Sequence, residues 1–230
     1  NKGYLTGGYD ARKHLNDLWE YDMEQDSWTQ KATFPGPPRS AAVAFSVNER
    51  GYFGTGFDGK EYYKDFWEYD PETNKWTQKT DFPGSARNDA TAFGLSDKGY
   101  IGSGYDGNYL KDFYVYDPQN SKWEQIVSLG GSKRRGATSF VIDNIAYVCT
   151  GYNNGEYVKD FWKYDPTQQR WIQLRDIADT SDDSYDNKYN SIVRIYGVSF
   201  VIDGQAYLTC GGTPDLRTNS WRYTPAIDMW

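Results

Sequence analysis

Residues 51–76 read Gly51-Tyr-Phe-Gly-Thr-Gly-Phe-Asp-Gly-Lys-Glu-Tyr-Tyr-Lys-Asp-Phe-Trp-Glu-Tyr-Asp-Pro-Glu-Thr-Asn-Lys-Trp76. Two short aromatic runs with period-2 alternation are separated by a Gly/Asp-rich turn, and an Asp-Pro turn leads to a lone Trp. That is the signature of consecutive β-strands. The stretch is one copy of a repeat. Its opening recurs as Gly3-Tyr-Leu-Thr-Gly-Gly-Tyr, Gly99-Tyr-Ile-Gly-Ser-Gly-Tyr, Ala146-Tyr-Val-Cys-Thr-Gly-Tyr and Ala206-Tyr-Leu-Thr-Cys-Gly-Gly. Its second run recurs as Leu18-Trp-Glu-Tyr-Asp, Phe113-Tyr-Val-Tyr-Asp, Phe161-Trp-Lys-Tyr-Asp and Ser220-Trp-Arg-Tyr-Thr. The lone Trp stands at Trp28, Trp76, Trp123, Trp171 and Trp230, at constant distance from that run. A small, apolar run such as Ser40-Ala-Ala-Val-Ala-Phe-Ser-Val47 precedes each copy after the first. Each unit therefore predicts four strands. Asp-Pro at 70–71, 117–118 and 165–166 turns the third into the fourth, because Pro fixes φ and cannot continue a ladder. Trp67 and Tyr69, two apart, share one face of the sheet.

Glycine pairs, an aromatic strand and a Trp at fixed distance, repeated at a period near 50, resemble the kelch family. The resemblance covers the whole chain. It implies an all-β propeller with blades arranged radially around a channel. The 230 residues read as one domain with units at roughly 1–36, 37–84, 85–131, 132–190 and 191–230. The first unit lacks its innermost strand and the last stops at Trp230, so the expectation is a chain cut in mid-blade at both ends. Five visible units are then expected to be part of a six- or seven-bladed ring, with closure by a partner chain as a further option.

Composition narrows the function. Aromatic residues make up 18% of the chain, enough to bury a core from short strands. A formal charge of −7 argues against a nucleic-acid binder, which carries a basic surface. No apolar run is long enough to span a membrane as a helix. Cys149 and Cys210 fall one register apart in equivalent strands, so a disulfide between them is not expected.

Several motifs imitate chemistry. Gly54-x-Gly56-x-x-Gly59 and Gly102-x-Gly104-x-x-Gly107 match a dinucleotide fingerprint, yet a strand follows each where pyrophosphate binding needs a helix N-terminus. The chain also resembles the propeller of galactose oxidase, whose copper-radical site needs two His ligands. This chain holds one, His14, which excludes that site, as well as zinc hydrolase and Ser-His-Asp arrangements.

Four arginines, Arg39, Arg87, Arg134 and Arg194, each stand twelve residues before the Gly or Ala that opens the second strand. One reading is a ring at a channel mouth that binds anions through guanidinium forks. The other is pairing with carbonyls or acidic neighbours. The loops between second and third strands bring Tyr62, Tyr63, Tyr109 and Tyr157 as contact candidates, since Tyr gives rigid contact area. An insertion at Asp176–Ser191 adds five Asp residues with Tyr189 and with Tyr185, a further contact candidate. It reads as a solvated acidic loop, with calcium as the alternative and no other cofactor expected.

These features favour a non-enzymatic binding module for a protein, peptide or glycan, with an acidic ligand fitting best. The alternative is a sialate mutarotase-like enzyme, in which the arginines anchor a carboxylate and Glu61 or Glu156 moves the proton. A looser resemblance to kelch proteins of Bacteroidetes-type bacteria implies an extracytoplasmic place, in the periplasm or on the cell surface.

Overall fold

The computed structural model describes residues 2–179 and 186–230. The repeat folds as five antiparallel sheets in chain order. The first holds β1 (Lys2–Thr6), β2 (Leu18–Asp22) and β3 (Ser27–Gln30). The second holds β4 (Val43–Val47), β5 (Arg50–Gly54), β6 (Phe66–Asp70) and β7 (Lys75–Lys79). In the third, β8 (Thr91–Leu95), β9 (Lys98–Tyr105), β10 (Tyr109–Asp117) and β11 (Lys122–Ile126) repeat that order. The fourth has β12 (Thr138–Ile142), β13 (Ile145–Cys149), a two-rung ladder of β14 (Tyr152–Asn153) with β15 (Glu156–Tyr157), then β16 (Phe161–Asp165) and β17 (Arg170–Gln173). The fifth has β18 (Val198–Ile202), β19 (Gln205–Thr209), the short pair β20 (Gly212–Thr213) and β21 (Asp215–Leu216), then β22 (Trp221–Tyr223). The innermost strands β4, β8, β12 and β18 touch in that order, as blades of a propeller do. Small side chains, including Ala44, Ala92 and Ser139, line the channel between them.

The turns follow from their residues. Two-residue links with both φ positive, Asn48-Glu49 and Asp143-Asn144, match the twist of the hairpins they close. Asp22, Asp70, Asp117 and Asp165 each accept the backbone N–H two residues on at 2.9 Å, which seeds the turn into the fourth strand.

The core lies between the blades, with separate clusters at the second–third, third–fourth and fourth–fifth interfaces. Phe66 of the second blade meets Tyr116 and Trp123 of the third, with ring centroids 4.8 and 4.9 Å apart. Phe113 meets Trp171 of the fourth blade, and Phe161 meets Tyr223 and Trp230 of the fifth. The invariant spacing of the lone Trp now has its reason. From the second blade on, each indole reaches into the preceding blade, and Trp76, Trp123 and Trp171 donate Nε1–H to the carbonyls of Ala32, Thr80 and Val127. Phe34, Phe82, Leu129 and Ile177, buried at equivalent loop positions, complete the plug.

The fifth blade departs from the four-strand expectation. Pro225–Ile227 form a 3-10 turn, and a single bridge from Thr224 to Met229 replaces the fourth strand. Trp230 still fills its socket. On the innermost strand of this blade Phe200 is 46% exposed, whereas its counterparts Phe45, Phe93 and Phe140 are buried. Both cysteines are free.

Candidate ligand-binding face

The four arginines are not a ring of free guanidinium groups, which corrects the channel-mouth expectation. Arg39, Arg87, Arg134 and Arg194 are fully buried. Each is consumed within its own blade. The Nε–H donates to the carbonyl two residues upstream, of Pro37, Ser85, Ser132 or Ile192. An Nη1–H reaches the end of the second strand, at Thr55, Ser103, Thr150 or Cys210. The outer edge of Arg39 forks onto Asp65, Arg87 onto Asp112 at 2.6 and 2.8 Å, and Arg134 pairs with Asp160. In the fifth blade Asn219 replaces the carboxylate and accepts from Arg194 at 2.9 Å. These side chains pin the entry of the innermost strand to the start of the third, and they offer no free donor edge to a ligand.

The glycine motif serves the same junction. Gly56, Gly104 and Gly151 adopt φ near +100°, and their N–H groups donate to the carbonyls of Arg87, Arg134 and Arg194 in the next blade at 2.7–2.9 Å. A Cβ at Gly104 would lie 2.7 Å from the carbonyl oxygen of Asn88. The fingerprint match is thus inter-blade packing.

The residues just after each buried arginine run from buried Asp89 and Gly136 to half-buried Arg135 and exposed Tyr196. Two positions on, Ala41, Asp89, Gly136 and Tyr196 all take positive φ. They are linked from blade to blade, with the N–H of Asp89 donating to Ala41, of Gly136 to Asp89 and of Tyr196 to Gly136. One position on stand Ser40, Asn88, Arg135 and Ile195. At these two positions the repeat keeps its backbone and varies its side chains.

Chemistry gathers at Arg135. Its guanidinium carbon lies 5.1 Å from the centre of the Tyr105 ring, 5.8 Å from Tyr109 and 5.9 Å from Tyr152. Its Nη1 is 4.0 Å from Asp89 Oδ2, and its Nε has no hydrogen-bond partner although no water reaches it. Tyr196 donates its hydroxyl to Asp89 at 3.0 Å. Burial raises the Asp89 carboxyl above the usual carboxylate range, against the opposing effects of Tyr196 and Arg135. Burial and then Asp89 push the Tyr196 phenol up to about 12, so it keeps its proton. Around this centre runs a belt of rings in contact: Phe57, Tyr62, Tyr105, Tyr109, Tyr152 and Tyr157, with successive centroids 4.9 to 6.3 Å apart. The belt spans three blades, half-buried and open to one side.

A family model described as the KLHDC2/KLHL20/DRC7 Kelch-repeats domain matches residues 1–132, and one described as the Kelch motif matches residues 133–176. The chain belongs to the kelch-repeat family. No curated protein matches it.

In this kelch chain Tyr62, Tyr109 and Tyr157 lie in the belt. Tyr63 does not: its ring lies under the Arg39 guanidinium at 4.0 Å and its hydroxyl is bound to Asp58. Tyr185 lies outside the described residues, as do Asp182 and Asp183. The described part of the insertion packs downward. Tyr189 is buried, accepts the N–H of Trp230 at 2.9 Å and touches Trp221. Among the described residues no three metal-ligating side chains gather. His14 stacks on Tyr9 in the first blade. Glu61 and Glu156 are exposed at loop tips, and the arginines meant to hold a substrate carboxylate beside them are buried. Sequence reasoning preferred other loop tyrosines to Tyr105 and Tyr152, which stand in the recurring Gly-aromatic column, and passed over Arg135, Asp89 and Tyr196. For those three the available signal was their position, in columns where neighbouring units carry unrelated residues.

Proposed function

We propose that the chain is a binding module that holds an extended, acidic segment of a protein partner across the tyrosine belt, with a carboxylate on Arg135. Kelch repeats are in general protein-interaction modules. The observation that carries the finer reading is Arg135 itself. A guanidinium framed by three tyrosine rings has its face covered, and its side chain is still about 30% exposed, which leaves an edge for a carboxylate. Tyrosines supply contact area at low entropic cost on either side. Asp89 holds Arg135 only loosely, at 4.0 Å, so an incoming carboxylate displaces a weak internal contact.

Selection of peptides from a random library on the immobilised chain tests this. Enriched sequences should carry Asp or Glu and should be lost when selection is repeated on the Arg135→Ala chain. Enrichment of peptides without acidic residues, or retention on Arg135→Ala, would refute the reading.

A further inference from the structure

Two columns of the repeat change character in the fifth unit. The first holds Leu15, Tyr63, Leu110 and Val158, and then Arg217. The backbones are equivalent, since the N–H groups of Tyr63, Val158 and Arg217 donate to the carbonyls of Gly56, Gly151 and Gly211. The second column, two residues on, holds Asp17, Asp65, Asp112 and Asp160, and then Asn219. The fifth unit has gained a cation where the others are apolar or aromatic, and lost an anion where they are acidic.

Both changes fall on one spot. In blades two to four each buried arginine is balanced by a carboxylate of its own blade, Asp65, Asp112 or Asp160. Arg194 is as deeply buried and meets no carboxylate among the described residues. Its N–H groups are all spent on neutral acceptors: the carbonyls of Ser191, Ile192, Cys210 and Asn219, and the Asn219 side chain. Where Tyr63 lays its ring under the Arg39 guanidinium, Arg217 brings a second positive charge to Arg194. Burial first, and then that charge, push the Arg194 guanidinium below its ordinary value. Arg217 is half-buried and anchored through Nη2 on Thr213. Its Nη1 is not shut off from water and has no acceptor among the described residues. Asp215, the only acidic residue in loop 210–220, makes no ion pair with it. Every group in this imbalance belongs to the fifth blade.

We propose that Arg217, backed by Arg194, is a phosphate-monoester site at the loop joining the second and third strands of the fifth blade. Two guanidinium charges stand where the other blades pair one guanidinium with one carboxylate, so the ligand that balances them is a dianion. A phosphate monoester carries about −1.5 to −2 charges at pH 7 and several strong acceptors, whereas one carboxylate neutralises only one of the two cations. Arg217 supplies the donor edge. Arg194, with no N–H left to give, supplies charge alone.

Thermal unfolding in inorganic phosphate, with sodium chloride and sodium acetate at matched ionic strength as references, reads the site. A saturable rise in Tm with phosphate, absent with the other two salts, is expected. Arg217→Leu installs the residue type of the first and third units and should weaken the apparent phosphate affinity about tenfold or more. Asn219→Asp rebuilds the clamp of the other blades. It is expected to raise Tm in chloride and to weaken the phosphate response. A chain indifferent to phosphate overturns the proposal, as does an equal response to acetate. A phosphate response that survives both substitutions overturns it too, because a purely structural Arg217 would move only the Tm in chloride. Arg135→Ala leaves the response in place, so this site stands or falls apart from the tyrosine belt. A fluorescein-labelled phosphoserine peptide, competed with inorganic phosphate, then separates the sources of the group. Tighter binding of the peptide supports a phosphorylated protein segment, and equal binding supports a small phosphate ester, both at the same site.

Discussion

Arg134 and Arg135 are neighbours with opposite fates. The first is buried and paired with Asp160, and the second is half-buried and framed by tyrosines. What separates them is whether the rest of the molecule has already met their hydrogen-bonding needs. Two predictions belong at this scale. Asp89 is the internal competitor for Arg135, so Asp89→Asn is expected to tighten binding of an acidic peptide, read by calorimetry at pH 7. The same substitution changes stability in a pH-dependent way. Because the folded-state pKa of Asp89 lies above the ordinary aspartate value of 3.8, burying its charge costs stability at neutral pH. That cost fades as pH falls through the folded value and is gone below 3.8. Asp89→Asn should therefore raise Tm at pH 7, with the gain shrinking toward zero near pH 4. A gain that grows on acidification would contradict the assignment. In the second case, Asp112→Ala strands the buried Arg87. Removing one partner of such a pair costs about 3 kcal/mol, at the low end for buried pairs because the Asp112 side chain is 24% exposed. Urea unfolding measures it.

At the scale of elements, the repeat specifies the blade twice over. The Phe of the innermost strand stacks within its own blade, and the Trp of the fourth reaches into the blade before. Gly104 joins neighbouring blades through a backbone that no L side chain adopts readily. Gly104→Ala is expected to cost about 1–3 kcal/mol, from the strained φ and the clash with Asn88. An unchanged midpoint in urea would show that the junction relaxes. This is also the scale at which the sequence was most readable. Trp, Gly-x-Gly and Asp-Pro recur because every blade poses the same packing problem, so period and spacing identify strands and turns. The four arginines were equally visible, and of their two readings the buried side chains make the pairing with carbonyls and acidic neighbours. Recurrence at one column reflects a need every blade shares, here an internal clamp. The candidate face lies where recurrence stops, at Asp89, Arg135 and Tyr196, and no periodicity marks such residues. Nor could spacing show that Tyr63 would lie against Arg39 while Tyr62 joined the belt, since that depends on which way a loop turns.

For the whole molecule, rigid blades hold a face whose polar centre is a single arginine. The belt draws rings from three blades, so its geometry depends on inter-blade junctions rather than on any one loop. A second feature is the exposed Phe200 on the innermost strand of the fifth blade. The account rests most heavily on the division between Arg134 and Arg135, and one binding isotherm tests it. An acidic peptide selected on the parent chain is titrated into Arg135→Ala after thermal unfolding has shown equal Tm for the two proteins. The predicted result is at least a tenfold loss of affinity, in line with about 1.5–3 kcal/mol for a charged hydrogen bond. Equal affinity for both proteins would contradict it and return the search for the binding face to the rest of the propeller.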